Sequence, residues 1–175
     1  MIEEIKQKIR TIPNWPKPGI MFRDITTLLK DPESFNKVIN IFVERYKDKS
    51  ITKILGIESR GFIFGSVLAS KLNLPFILAR KPGKLPAATT KMEYELEYGT
   101  DALEIHNDAI ELGDSVLIVD DLIATAGTLK ATVELVEKLG GKVHECAVVI
   151  ELPDLKGREK IKNYNTFSIV QFDGD

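Results

Sequence analysis

Short apolar strands alternate along this chain with helix-patterned segments, and few architectures accept that alternation. The run Val116-Leu117-Ile118-Val119 has no polar residue on either face, and Ile54 to Ile57 is nearly as apolar. A strand that is apolar on both faces belongs in a sheet covered on both sides, which is the setting of parallel sheets. Segments of helical period lie between the strands. The sequence therefore predicts an α/β fold, with a parallel sheet flanked by helices.

The pattern assigns elements along the chain. Residues 2–10 carry Ile2, Ile5 and Ile9 among charges and read as an amphipathic helix. Pro13, Pro16, Pro18 and Gly19 then impose loop-like, extended backbone. Asp31-Pro32-Glu33 reads as a cap and first turn, starting a helix that runs to Tyr46 with Phe35, Val38, Ile39, Phe42 and Val43 inward. Strands are expected over 53–57, 75–79, 116–119, 143–150 and 167–172, and helices over 62–72 and 128–139. Residues 93–106 alternate with period 2 around Gly99-Thr100-Asp101, the mark of an antiparallel hairpin. The preceding residues 81–90 have no period, and such long connections tend to be functional or mobile.

Length and composition set bounds. At about 150 residues per domain, 175 residues predict one domain over 1–175. Lys plus Arg number 24 and Asp plus Glu 26, a net charge of −2, so there is no basic field for nucleic acid or an anionic membrane. The N-terminus has acids where a secretory leader carries positive charge, and no apolar run reaches membrane-spanning length. The single cysteine, Cys146, lies in an apolar strand and reads as an inert core thiol. These features predict a soluble protein of a reducing, cytoplasmic compartment.

The chemistry is concentrated after the most apolar strand. Asp120 and Asp121 end it, a loop of small and hydroxyl residues follows (Ala124, Thr125, Ala126, Gly127, Thr128), and a helix begins. Ligands of open α/β sheets bind beyond the carboxyl ends of strands. A helix start offers free N–H groups and a positive dipole end, and small residues let backbone approach a phosphate. The acids suit sugar hydroxyls or a hydrated Mg²⁺. Loop and acids together describe a sugar phosphate lying across the strand end. The plainer alternative is a strand–loop–helix junction with Asp121 and Thr125 as caps. Neither a Walker loop nor a Gly-x-Gly-x-x-Gly dinucleotide motif occurs. Glu58-Ser59-Arg60-Gly61 follows another buried strand, where its amides and the Arg60 fork suit an anion, or Ser59 caps a helix. His106 and His144 have no partner at metal-ligand spacing.

The segment 116–128 resembles the ribose-phosphate loop of type I phosphoribosyltransferases. Four further stretches, Pro18 to Ile25, Glu58 to Phe62, Arg80 to Pro86 and Leu96 to Gly99, stand in the order found in the adenine-using branch of that family, and Lys156-Gly157-Arg158-Glu159 extends the match. The resemblance implies purine salvage, in which adenine and 5-phosphoribosyl 1-diphosphate give AMP and diphosphate with Mg²⁺ required and no direct protein ligand for the metal assigned. It implies an antiparallel hairpin with a flexible loop, and a small N-terminal hood over residues 1–30 covering the base. It assigns the ribose and 5′-phosphate to Asp120, Asp121 and residues 124–128. The diphosphate goes to Ser59, Arg60 and Gly61, with Lys81 and Lys84 in a lid and Arg80 near a neighbouring subunit's site. Adenine goes to Met21, Phe22 and Arg23, and the acid–base role to Glu97, with Tyr98 beside it. A cis Glu58–Ser59 peptide and a homodimer are implied as well. Ala126 stands where the family usually has Gly, so a positive φ there costs about 1 kcal/mol or more. Two alternatives remain. One is the same chemistry on 6-oxopurines, which mismatch a site built for an exocyclic amine. The other is a regulator that only senses the sugar diphosphate, which calls for a basic footprint this chain lacks.

Overall fold

The computed structural model describes residues 2–95 and 99–174. Helix α1 (Ile2–Lys8) leads into strands β1 (Arg10–Pro13) and β2 (Met21–Asp24), then helices α2 (Thr26–Leu29) and α3 (Pro32–Tyr46). Strand β3 (Lys53–Ile57), helix α4 (Gly61–Leu72) and strand β4 (Phe76–Ala79) follow. Strands β5 (Thr89–Glu95) and β6 (Thr100–His106) form the predicted antiparallel hairpin, with Glu95 opposite Thr100. Strand β7 (Ser115–Ile123), helix α5 (Gly127–Lys138), strand β8 (Lys142–Glu151), helix α6 (Gly157–Lys160) and strand β9 (Thr166–Gln171) complete the chain.

The five strands β4-β3-β7-β8-β9, in that order, form the parallel sheet. Alternation along each strand sends side chains to opposite faces. Ile54, Leu117, Val119, Ala147 and Val149 join a core with Phe42 of α3 and Phe64 and Leu68 of α4. Leu55, Ile57, Ile118, Cys146 and Val148 join a second core with Leu129, Val133 and Val136 of α5 and Leu103 and Ile105 of the hairpin. Both faces are covered, as the apolar runs require. Cys146 is fully buried, and burial pushes its thiol up to about 12, so it stays protonated and inert.

Two expectations change. The proline-rich segment after α1 is not purely loop-like, because β1 pairs with β2 from Arg10↔Asp24 to Pro13↔Met21. Pro13 closes that ladder, where a missing N–H does no harm. The strand carrying the acid pair does not stop at Asp120. It continues to Ile123, because β8 keeps offering partners up to Ile123↔Glu151. The expected helix starts agree: Asp31 caps α3 by accepting from the Glu33 and Ser34 amides, with Pro32 in the first turn.

Candidate active site

Strands β3 and β7 are neighbours with Gly56 opposite Val119, so the turns that follow them open on one edge of the sheet. A cleft of about 570 Å³ lies there. Ser59 and Arg60 line it from the β3–α4 turn, Asp120 and Asp121 from β7, and residues 124–128 from the loop before α5 and its first turn. Tyr94 and Glu95 of the hairpin close one side. Gly61 sits beneath, where a Cβ would meet Val119 O at 2.6 Å and Asp120 Oδ1 at 3.1 Å. Glycine there is what lets α4 begin against the acid-bearing strand.

Both long helices that start at the cleft lack a side-chain cap. Arg60 is the N-cap of α4 and Ala126 that of α5, and at neither helix start does the N-cap side chain accept a bond from the first amides. Ser59, Asp121 and Thr125 therefore do not act as caps. Forgoing a cap costs about 1 kcal/mol per helix, and the free amides and dipole ends form an anion site. Ala126 has φ +59, so the left-handed position is real and is filled by a residue with a Cβ. The Glu58–Ser59 peptide is cis.

The acid pair is buried, with Asp120 8% and Asp121 4% exposed. Asp120 Oδ1 accepts the Asp121 N–H at 2.8 Å. Arg60 Nε lies 2.9 Å from Asp121 Oδ2, yet the N–H is not aimed at the oxygen, so the pair is Coulombic only and that oxygen stays buried without a hydrogen bond. Burial raises the pKa of both carboxyls. The Asp121 charge raises that of Asp120 further, and the Arg60 charge opposes the rise at Asp121. An acid pair this poorly compensated fits a donor-rich ligand such as a sugar diol, or water held by a cation.

None of the remaining predicted residues among those described lines this cleft, although Lys81, Arg80 and Phe22 touch residues that do. Lys81 Nζ reaches Tyr94 Oη at 2.8 Å and pairs with Asp101 on the hairpin, and Lys84 is exposed in the loop before β5. Arg80 is engaged within its own chain, because Nε and Nη2 donate to Glu58 at 3.2 and 3.1 Å. The sequence reading left Glu58 out of the site. Its carboxylate also accepts the Lys81 N–H, and the Arg80 bonds hold its pKa below the usual range. Phe22 on β2 lies under Arg60, whose guanidinium is 5.6 Å from the ring. Met21 begins β2, while Arg23 does not line the cleft: it donates to Thr11 at 2.8 Å and stacks on Phe172 at 4.5 Å. Leu96, Glu97 and Tyr98 lie outside the described residues. His106 lines a separate hollow near the start of β4.

The family profile described as a phosphoribosyl transferase domain matches residues 24–174. The chain belongs to the phosphoribosyltransferase family. Among relatives of this phosphoribosyltransferase, the adenine phosphoribosyltransferase of Desulfosudis oleivorans is 58% identical over 98% of this chain and 99% of its own length. That of Triticum aestivum is 56% identical, over 98% and 95%. A solved adenine phosphoribosyltransferase from Thermoanaerobacter pseudethanolicus superposes with TM-score 0.95 at 49% identity, covering 98% of this chain and 100% of that one. The Saccharomyces cerevisiae enzyme, solved with an imino-altritol bisphosphate and adenine, superposes with TM-score 0.92 at 42% identity, over 97% and 98%.

Proposed function

We infer that this phosphoribosyltransferase uses adenine, converting it with 5-phosphoribosyl 1-diphosphate to AMP and diphosphate in purine salvage. The observation that carries the reading is the pair of uncapped helix starts flanking a buried acid pair in one cleft. The cleft has one anion site on each side of a diol-accepting centre, which is the charge pattern of the sugar diphosphate.

In this reading the C1′–O bond to the diphosphate breaks, the leaving group keeps the electron pair, and adenine N9 bonds to C1′. Ser59, Arg60 and Gly61 take up the departing negative charge. Arg60 turns from Asp121 to the diphosphate, which frees Asp121 to accept a ribose hydroxyl beside Asp120. Residues 124–128 hold the 5′-phosphate. Glu97 takes the N7 proton as N9 attacks, and Tyr98 stands next to it. Lys81 and Lys84 belong to a lid that excludes water from the cation-like sugar. Arg80 orients Glu58 at the rim and belongs to the diphosphate side, near a neighbouring subunit's site. Met21 and Phe22 read the base, and Arg23 secures the hood that carries them.

Mg²⁺ fits this donor set in a hydrated form. Among the described residues no three His, Cys, Asp or Glu side chains cluster as a metal cage, while Asp121 Oδ2 is a buried acceptor with unused capacity. Asp120 and Asp121 would hold its waters, and when bound it supplies positive charge to the diphosphate. Residues 1–175 act as one catalytic domain with a hood over 1–30. A cytoplasmic setting suits the lone buried thiol, and a homodimer is part of the same reading. No helix among the described residues is long and apolar enough to cross a membrane.

The test mixes the protein with Mg²⁺, the sugar diphosphate and, in turn, adenine, hypoxanthine and guanine. Nucleotide from adenine alone is expected. Product from the oxopurines instead would overturn the base assignment, and binding without product would favour a sensor.

A further inference from the structure

The motif Lys156-Gly157-Arg158-Glu159 takes no part in the chemistry above, yet it packs against the loop that does. Strand β8 ends at Glu151, opposite Ile123, and the Leu152 N–H donates to Ile123 O at 3.0 Å. The chain then turns through Pro153–Leu155 and through Lys156 at φ +53, and Gly157 meets the phosphate loop. A Cβ on Gly157 would stand 2.2 Å from Ala124 O and 3.1 Å from its carbonyl carbon. Both are backbone atoms, so no side-chain rotation relieves the overlap.

Arg158 locks this contact in place. Its Nε and Nη2 form a two-pronged pair with Glu151, the Nη2 bond being 2.7 Å, and its Nη1 donates to Thr166 O at 2.7 Å. Glu151, 4% exposed, also accepts from Ser168 Oγ at 2.6 Å and Gln171 Nε2 at 3.1 Å. The network ties α6 to β8 and β9, and Gly157 carries that rigidity to Ala124. Two residues on, Ala126 holds a left-handed conformation that persists only where its surroundings over-determine it.

We propose that Gly157, held by the Arg158–Glu151 pair, is a positioning residue for the phosphate loop: by fixing the Ala124 carbonyl it sets the direction in which the amides of residues 125–128 face an anion. This rests on the assignment of that loop to the 5′-phosphate. Misplacing donors by a fraction of an ångström affects binding of the phosphate and leaves the base site alone.

The test uses Gly157→Ala, Arg158→Ala, Arg158→Lys and, as a marker of the loop itself, Thr128→Ala. Ribose 5-phosphate is titrated by calorimetry, and both KM values are measured. Gly157→Ala is expected to weaken ribose 5-phosphate and raise the KM of the sugar diphosphate by on the order of tenfold or more, with the KM of adenine changed by less than about twofold. Arg158→Ala is expected to show the same split more weakly, and Arg158→Lys to recover part of it. Folded variants with unchanged ribose 5-phosphate affinity, or with both KM values raised alike, would overturn the proposal. If Gly157→Ala does not fold, the Arg158 pair decides by the same split. Ribose 5-phosphate binding that is indifferent to Thr128→Ala would overturn the loop assignment itself, and the brace with it.

Discussion

In the proposed function two residues at the cleft give up stability for chemistry, and each can be tested alone. Ala126 adopts φ +59 with a Cβ in place, a conformation worth about 1 kcal/mol against it. Ala126→Gly is expected to raise the melting temperature by a few degrees, since 1 kcal/mol moves a protein of this size by about 2–4 °C. A thermal melt showing no gain would mean that glycine's added freedom in the unfolded chain offsets the relief. Asp120 is the second case. Its burial is enforced from below by Gly61, whose missing side chain lets α4 lie against β7. Asp120→Asn is expected to melt higher than the parent in ligand-free protein, because it removes a carboxyl whose ionisation burial and the Asp121 charge oppose, and to lose most of its turnover. A variant that is less stable and fully active would contradict both statements.

At the scale of elements, the proposed function makes the N-terminal hood join the base site to the anion site. Trp15 is the only tryptophan, is 51% exposed, and meets Phe22 edge-on at 4.4 Å, while Phe22 lies under Arg60. Adenine or AMP is therefore expected to change Trp15 emission. Trp15→Phe should keep activity without the signal, and Trp15→Ala should raise the KM of adenine more than that of the sugar diphosphate. Fluorescence titration with adenine checks this, and an emission spectrum blind to adenine would detach the hood from the base. Elements of this kind show what was legible in the sequence. Helix α3 follows from its cap, proline and apolar face, and the sheet from runs apolar on both sides. The grouping of the acids with residues 124–128 in one cleft was visible because unlike residue types stood adjacent. The β1–β2 pairing was hidden, because prolines mask a ladder only four residues long. Glu58 was passed over because its significance lies in Arg80, 22 positions away, and Gly157 because a contact with Ala124 leaves no local trace.

Across the whole molecule, two sets of buried carboxyls respond oppositely to pH. Glu151 is held down to about 2 by its bonds from Arg158. Glu145 and Asp24 are pushed up by burial but end below their usual values, because Arg45 with Tyr46 and Arg10 with Thr26 outweigh it. A depressed folded-state pKa gives stability that is present above the unfolded value and lost as pH falls through the folded one, so for Glu151 the loss runs from about pH 4.5 towards 2. Asp120 and Asp121 are raised, so their contribution is present at low pH and lost as pH rises through their folded values, leaving a buried charge on the alkaline side. The ligand-free protein should be most stable at weakly acid pH and decline on both sides. Melting curves from pH 3 to 9 should show Asp120→Asn lifting the alkaline limb alone and Glu151→Gln flattening the acid limb while lowering the maximum. Substrate should restore the parent's alkaline limb, since a ligand that donates to the acid pair supplies bonds that the protein's own groups do not make to Asp121 Oδ2. An alkaline limb indifferent to both Asp120→Asn and the sugar diphosphate would place the charge penalty elsewhere in the fold and remove the acid pair from the ribose site.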